Sequence, residues 1–140
     1  MLIAMGIVLY VVDKNSSKDI SYEKMTFKQA FLIGLSQSLA FIPGVSRSGI
    51  TMTTGRALGL SREAAARYSF MLSAPIVLAA TVYKFKDFVI DVPFIVGVLT
   101  SFIIGVLVIK FLLNYLKKES FKVFAVYRII AGLLVLLWVI

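Results

Sequence analysis

Apolar residues come in runs along this chain, with short polar breaks between them. The runs cover residues 2–12, 27–42, 50–60, 64–82, 94–116 and 123–140. Three of them, 64–82, 94–116 and 123–140, are long enough to predict helices that cross a bilayer. A hydrocarbon core needs roughly 20 helical residues. The arms at 27–42 and 50–60 are too short to span it. Between them lies Phe41-Ile42-Pro43-Gly44-Val45-Ser46-Arg47-Ser48-Gly49-Ile50-Thr51, a polar break with two glycines and a proline. Two short apolar arms around such a break predict a re-entrant helical hairpin over 27–60. Irregular backbone at that depth is tolerated only where protein buries it or a wet cavity borders it.

Boundary signals support this division. Thr26-x-x-Gln29 has the form of a capping box opening the first arm. The second arm is expected to start near Ile50. Ser61 with Glu63 two residues on suits a helix start, and Pro93 suits the first position of the next helix. Pro75 should kink the 64–82 run. Small residues spaced by four predict close helix packing: Gly34 with Ser38, Gly55 with Gly59, and Gly97 with Ser101 and Gly105. Residues 13–25 read as a polar connector and 83–91 as a turn. Tyr127 and Trp138 suit the two interfaces of the last span. The fold class is an all-α integral membrane protein. Residues 1–140 form one membrane domain, with the hairpin at 27–60 and a three-helix transmembrane segment at 61–140.

Composition agrees. The chain is 60% hydrophobic and 16% charged, against about 25% charged in soluble domains. The net charge of +8 could suggest nucleic acid, but the cations sit mainly in short loops between apolar runs, where anionic headgroups attract them. Nucleic acid is therefore not an expected partner; membrane lipids are. Residues 2–12 make a poor signal peptide, with no basic start and no small-residue cleavage site. Cysteine and histidine are both absent, which excludes thiolate metal sites and histidine-dependent lipid phosphatases.

The candidate chemistry is concentrated in the hairpin break. An arginine at membrane depth is costly and marks a functional site. Gly44 and Gly49 permit unusual backbone and close approach of a ligand. Ser46, Ser48 and Thr51 supply hydroxyls, Arg47 a planar fork matched to phosphate oxygens, and the following helix a positive N-terminus. Together they favour a phosphate. A P-loop is excluded: Ile50-Thr51 stands where Lys-Ser/Thr belongs, and no strand leads in. Gln37 is read either as an interhelical hydrogen bond or as a wall of the phosphate pocket. Arg56 should meet headgroups or a carboxylate, Arg67 either snorkel or make a second phosphate contact, and Arg128, one turn into its run, snorkel. Tyr68-Ser69-Phe70-Met71 reads as packing. No buried carboxylate is expected, since Asp13, Asp19, Glu23, Glu63, Asp87, Asp91 and Glu119 fall nearly all in loops.

Residues 43–51 resemble the PGxSRSGxT signature of undecaprenyl-pyrophosphate phosphatases of the bacitracin-resistance type. The flanks agree: Gly34-Leu35-Ser36-Gln37-Ser38-Leu39-Ala40 before it, and Ala64-Ala65-Ala66-Arg67-Tyr68-Ser69-Phe70-Met71-Leu72-Ser73-Ala74-Pro75 after it. The resemblance is detailed from about residue 27 to 81. It implies an enzyme that hydrolyses undecaprenyl diphosphate and recycles the lipid carrier for cell-wall synthesis, in a bacterial plasma membrane. It implies Ser46, Arg47 and Thr51 as catalytic residues, and Gly44, Ser46, Arg47, Ser48, Gly49 and Gln37 around the phosphate. It also implies a fold of two inverted repeats at about twice this length, of which this chain matches the second. Residues 2–12 then look like the tail of a cut helix. The glutamate-rich motif and histidine of the first repeat have no counterpart here. A base for Ser46, and ligands for a divalent cation (magnesium or calcium), are expected from an N-terminal half or a second copy. Broken helices aimed at an anion also build transport sites, so a membrane phosphate or organic-anion transporter subunit is the second reading. Lysines and arginines place the connectors before and after the hairpin in the cytoplasm and Lys84 and Lys86 opposite.

Overall fold

The computed structural model describes residues 1–17, 19–85, 88 and 90–139. Lys18, Lys86 and Asp87 therefore lie outside the described residues. The chain is all-helical: α1 (Leu2–Asn15), α2 (Phe27–Ser36), α3 (Arg47–Ala57), α4 (Arg62–Lys84), α5 (Val92–Leu116) and α6 (Lys122–Val139), with 3-10 turns at Tyr22–Lys24 and Gln37–Phe41. The described residues hold no strand beyond a single bridge between Ile20 and Leu60.

Capping chemistry sets several of these boundaries. Thr26 N–H donates to Gln29 Oε1 at 2.8 Å, and Gln29 N–H returns a bond to Thr26 Oγ1 at 3.3 Å, the reciprocal box the sequence predicts. Ser61 Oγ accepts from Ala64 N–H at 3.1 Å and Asp91 Oδ1 from Phe94 N–H at 2.8 Å. At the end of α2, Ser36 and Ser38 hydroxyls donate back to the Ile33 and Leu35 carbonyls at 2.7 and 2.8 Å. Such back-bonding favours a tightened turn. The first arm accordingly ends as a 3-10 turn rather than an α-helix to Ile42.

Three boundaries differ from expectation. The second arm starts at Arg47, not near Ile50, because Ser46 is an effective N-cap: its backbone is extended and its Oγ accepts from Gly49 N–H. The first helix runs on through Asp13 to Asn15, so Asp13 belongs to a helix and not to the connector. Gly59 is not part of a helix-packing stripe. It sits just past α3 at φ +87°, where its N–H bonds Arg56 O at 2.9 Å and Leu60 N–H bonds Gly55 O at 3.0 Å. That is a Schellman ending, which needs a left-handed residue. Gly55 does pack: an added Cβ would lie 2.9 Å from Ala65 Cβ. Gly34, Gly97 and Gly105 face open space.

Helices α1, α3, α4 and α6 form the packed body. One buried cluster joins Leu9, Ala66, Leu116 and Phe121; another joins Ile33, Leu60, Ala64 and Ala65. Ile20 N–H and O bond Gly59 O and Ser61 N–H at 2.9 and 2.8 Å, stapling the 16–25 connector to the α3–α4 turn. Helices α4 and α5, of 23 and 25 residues, are long and apolar enough to cross a membrane, and the apolar stretch of α5 is unburied. Helices α2 and α3, of 10 and 11 residues, reach only about 15–17 Å at about 1.5 Å per residue.

Candidate active site

The break between the arms becomes the N-terminus of α3. Gly44 takes φ +86°, which only glycine adopts freely, and Ser46 caps the helix. Gly49 is helical, so its use is different from that of Gly44: it has no side chain where Arg128 of α6 approaches, and a Cβ there would collide with Arg128 Nη1. Ser46 Oγ and Ser48 Oγ lie 3.2 Å apart. The Arg47 and Ser48 N–H groups, first in the helix, have no acceptor among the described residues. Free N–H groups and the helix dipole make this an anion-favouring spot.

The side chains of the loop divide between two cavities. Ser46, Ser48 and Gly49 open, with Arg128, onto a cavity of about 420 Å³ whose other walls are apolar, among them Leu9, Met52, Phe70 and Phe121. Arg47 opens onto a second cavity of about 410 Å³ shared with Gly34, Gln37 and Ile76. The structure thus brings Gln37 to Arg47, and Ser46 to Ser48 and Gly49, on two flanks of one helix start. Arg47 Nη1 and Gln37 Oε1 are both buried without a hydrogen-bond partner. Gln37 makes no interhelical bond through that oxygen. Thr51 is placed deeper: it is 1% exposed, its hydroxyl lies 2.7 Å from Ser69 Oγ and 3.0 Å from Arg47 O, and it ties α3 to α4. Ser69 is thus part of the packing, as its sequence context suggests.

Arg128 corrects the sequence reading, and Arg67, the second of whose two expected contacts is at the loop, touches none of the loop side chains. Arg128 does not snorkel. It is 8% exposed, with Nε and Nη2 buried and unpartnered. Arg67 makes no contact with the loop; its guanidinium lies 4.7 Å over the Tyr22 ring and 3.9 Å from Glu23 Oε1. Arg56 meets carboxylates, one of its two expected partners: Nε donates to Asp13 Oδ1 at 3.0 Å and Nη1 to Asp19 Oδ1 at 2.9 Å.

Asp13 also overturns the expectation of no buried carboxylate. It is 4% exposed, at the end of α1, and accepts from Arg56 Nε, from Arg62 Nε at 2.8 Å and from Phe121 N–H at 3.1 Å. With its lone pairs so engaged it neither serves Ser46 as a base nor fits a cation. Glu23 and Glu63 approach Arg67 and Lys117, and Asp91 caps α5. Among the described residues no three acidic side chains converge. The described residues do not by themselves fit a divalent cation.

The family model described as Bacitracin resistance protein BacA matches residues 1–134. A protein named undecaprenyl-diphosphatase from Pelotomaculum thermopropionicum is 50% identical over 139 residues, covering 97% of this chain and 53% of that protein. The same name is carried by similar proteins of Desulforudis audaxviator, 45% identical over 97% of this chain and 53% of that protein, and of Campylobacter fetus subsp. fetus, 46% identical over 99% and 59%. The chain spans about half the length of the curated relatives it matches.

Proposed function

Since this chain belongs to the BacA family of bacitracin resistance proteins, we propose that it takes part in hydrolysing undecaprenyl diphosphate to undecaprenyl phosphate and inorganic phosphate, in a bacterial plasma membrane. The product is the lipid carrier returned to cell-wall synthesis. The observation that carries this reading is the start of α3, where free N–H groups, paired serines and a buried, unpartnered Arg47 Nη1 gather with no carboxylate among their bonded partners. The relatives' names supply the reaction.

In this reading Ser46 Oγ attacks the terminal phosphorus. The P–O bond to the bridging oxygen breaks, and undecaprenyl phosphate leaves with the electron pair. Water then displaces Ser46 from the phosphoserine and releases phosphate. Arg47 and the α3 N–H groups hold the charge on the phosphoryl oxygens, and Gln37 lines the flank that Arg47 occupies. A nucleophilic serine needs a base. With Asp13 committed elsewhere, the base comes from an N-terminal half or a second copy, as do any divalent-cation ligands.

The membrane arrangement we favour has α2 and α3 as a re-entrant hairpin entering from the cytoplasmic side, α4, α5 and α6 as spans, and the whole as one repeat of an inverted pair. The short lengths of α2 and α3 support it, and so does the exposed apolar length of α5. No observation favours the transport reading.

The test is phosphate release from undecaprenyl diphosphate in detergent, with magnesium or calcium. This chain is assayed alone and with the separately expressed N-terminal half of a full-length relative. Activity only in the mixture is expected. Activity of the chain alone would overturn the demand for an outside base, and no activity in either would overturn the hydrolytic reading.

A further inference from the structure

Among the described residues nothing neutralises Arg128, a buried cation. Helix α1 crosses its stem closely: a Cβ on Gly6 would lie 3.4 Å from Arg128 Cβ and 3.1 Å from Ala125 O. That contact fixes the side chain within the body rather than at a surface. The guanidinium ends beside Gly49, in the 420 Å³ cavity that Ser46 and Ser48 also line. Its Nε and Nη2 have no acceptor. No carboxylate of the described residues pairs with it.

Arginine does not escape by losing its proton. A desolvated, unpaired guanidinium is among the costlier features a fold can hold. Packing alone would favour leucine or methionine at this place, among Phe70, Phe121 and Met52. The cost is offset only when an anion enters. The nearest anion-favouring groups are the Arg47 and Ser48 N–H groups and the two serine hydroxyls at the start of α3.

We infer that Arg128 is a phosphate-binding residue. It closes on a phosphate or diphosphate head seated at the N-terminus of α3, from the flank opposite Arg47. The inference rests on the reading of the loop given above and adds a second cation to it. The head is thereby held from two sides, by Arg47 of α3 and Arg128 of α6. The apolar remainder of the Arg128 cavity receives the hydrocarbon next to the head, so that an isoprenoid diphosphate fits it better than free pyrophosphate does. Gly49 belongs to the same device, since any side chain there would push the guanidinium away.

The experiment is equilibrium binding of farnesyl diphosphate and of inorganic pyrophosphate to the detergent-solubilised chain, with thermal midpoints measured without ligand. Arg128→Met keeps the stem and removes the charge. It should weaken farnesyl diphosphate binding at least about tenfold, the worth of one charge-assisted contact, while the ligand-free midpoint stays equal or rises. Gly49→Ala keeps the arginine but displaces it, and should weaken binding too. Pyrophosphate should bind more weakly than farnesyl diphosphate and lose affinity in the same variants. Arg128→Met with wild-type affinity overturns the inference. So does a fall in affinity that tracks a fall in the ligand-free midpoint, which would make Arg128 a structural residue. If Arg128→Met binds normally while Arg47→Lys does not, this inference falls and the reading of the loop stands. If the wild-type chain binds neither compound, this inference falls, and the reading of the loop stands or falls with the two-half assay above.

Discussion

The two ends of α3 each hold buried arginine, under opposite conditions. At the C-terminal end Arg56 is 1% exposed and its donors reach Asp13, Asp19, Leu60 O and Ser16 O at 2.6 to 3.2 Å. At the N-terminal end Arg47 and Arg128 keep buried nitrogens with no partner among the described residues. One end is a finished joint tying α1, α3, α4 and the turn before α6 together through Asp13. The other holds cationic groups without a bonded partner among the described residues, and in the function proposed above it is the end that takes the phosphate. A buried, satisfied arginine contributes order; a buried, unsatisfied one marks where a ligand supplies the counter-charge.

Substitutions can sharpen that contrast, beginning with the largest effect. Ser46→Asn keeps an N-cap acceptor but removes the hydroxyl proposed as nucleophile. Turnover of undecaprenyl diphosphate in the two-half mixture should fall by about 10⁴-fold or more, in line with loss of a nucleophilic serine elsewhere, while the thermal midpoint barely moves. A variant that kept its turnover would remove Ser46 from the chemistry.

Asp13→Ala acts at the opposite end. It strands Arg56 and Arg62 and should cost about 3–5 kcal/mol, read as a lower unfolding midpoint by circular dichroism in detergent. Adding Arg56→Met should recover part of that loss, because an apolar replacement for a buried ion pair is often neutral. An Asp13→Ala chain as stable as wild type would mean the joint holds nothing together. Smaller still is Ser61→Ala, which removes the Ala64 N–H acceptor at the start of α4. About 1 kcal/mol of stability should go, with turnover per folded molecule unchanged.

Local chemistry explains which features the sequence disclosed. Helix starts depend on residues three apart, so Thr26 and Ser61 could be read directly, and the Ser46-Arg47-Ser48 loop announced itself by polarity in an apolar chain. Ser46 as the cap of α3 was legible by the same rule but was obscured by Gly49, which suggests loop rather than helix. The joint at Asp13 was not legible. Its partners lie 43, 49 and 108 positions away, and no periodicity encodes them. Arg128 had a signal that went unused. The argument that a charge at membrane depth marks a site, applied to Arg47, applies equally one turn into α6. Snorkelling needs an exposed charged end, and Arg128 is 8% exposed beneath the α1 contact at Gly6. The division of Arg47 from Ser48 between two cavities follows from helix geometry. Neighbouring residues on a helix point about 100° apart, and that became visible only once α3 was known to begin at Arg47.

The most direct test compares phosphate release per folded molecule for Arg47→Lys and Arg56→Lys in the two-half mixture. Both changes keep a charge and lose the planar fork. Arg47→Lys should lose about 10²-fold or more in turnover, the scale of one missing charge-stabilising contact, with an unchanged unfolding midpoint. Arg56→Lys should lower the midpoint and leave turnover per folded molecule intact. Wild-type turnover for Arg47→Lys, or a loss confined to Arg56→Lys, would contradict the assignment of the reacting phosphate to the N-terminal end of α3.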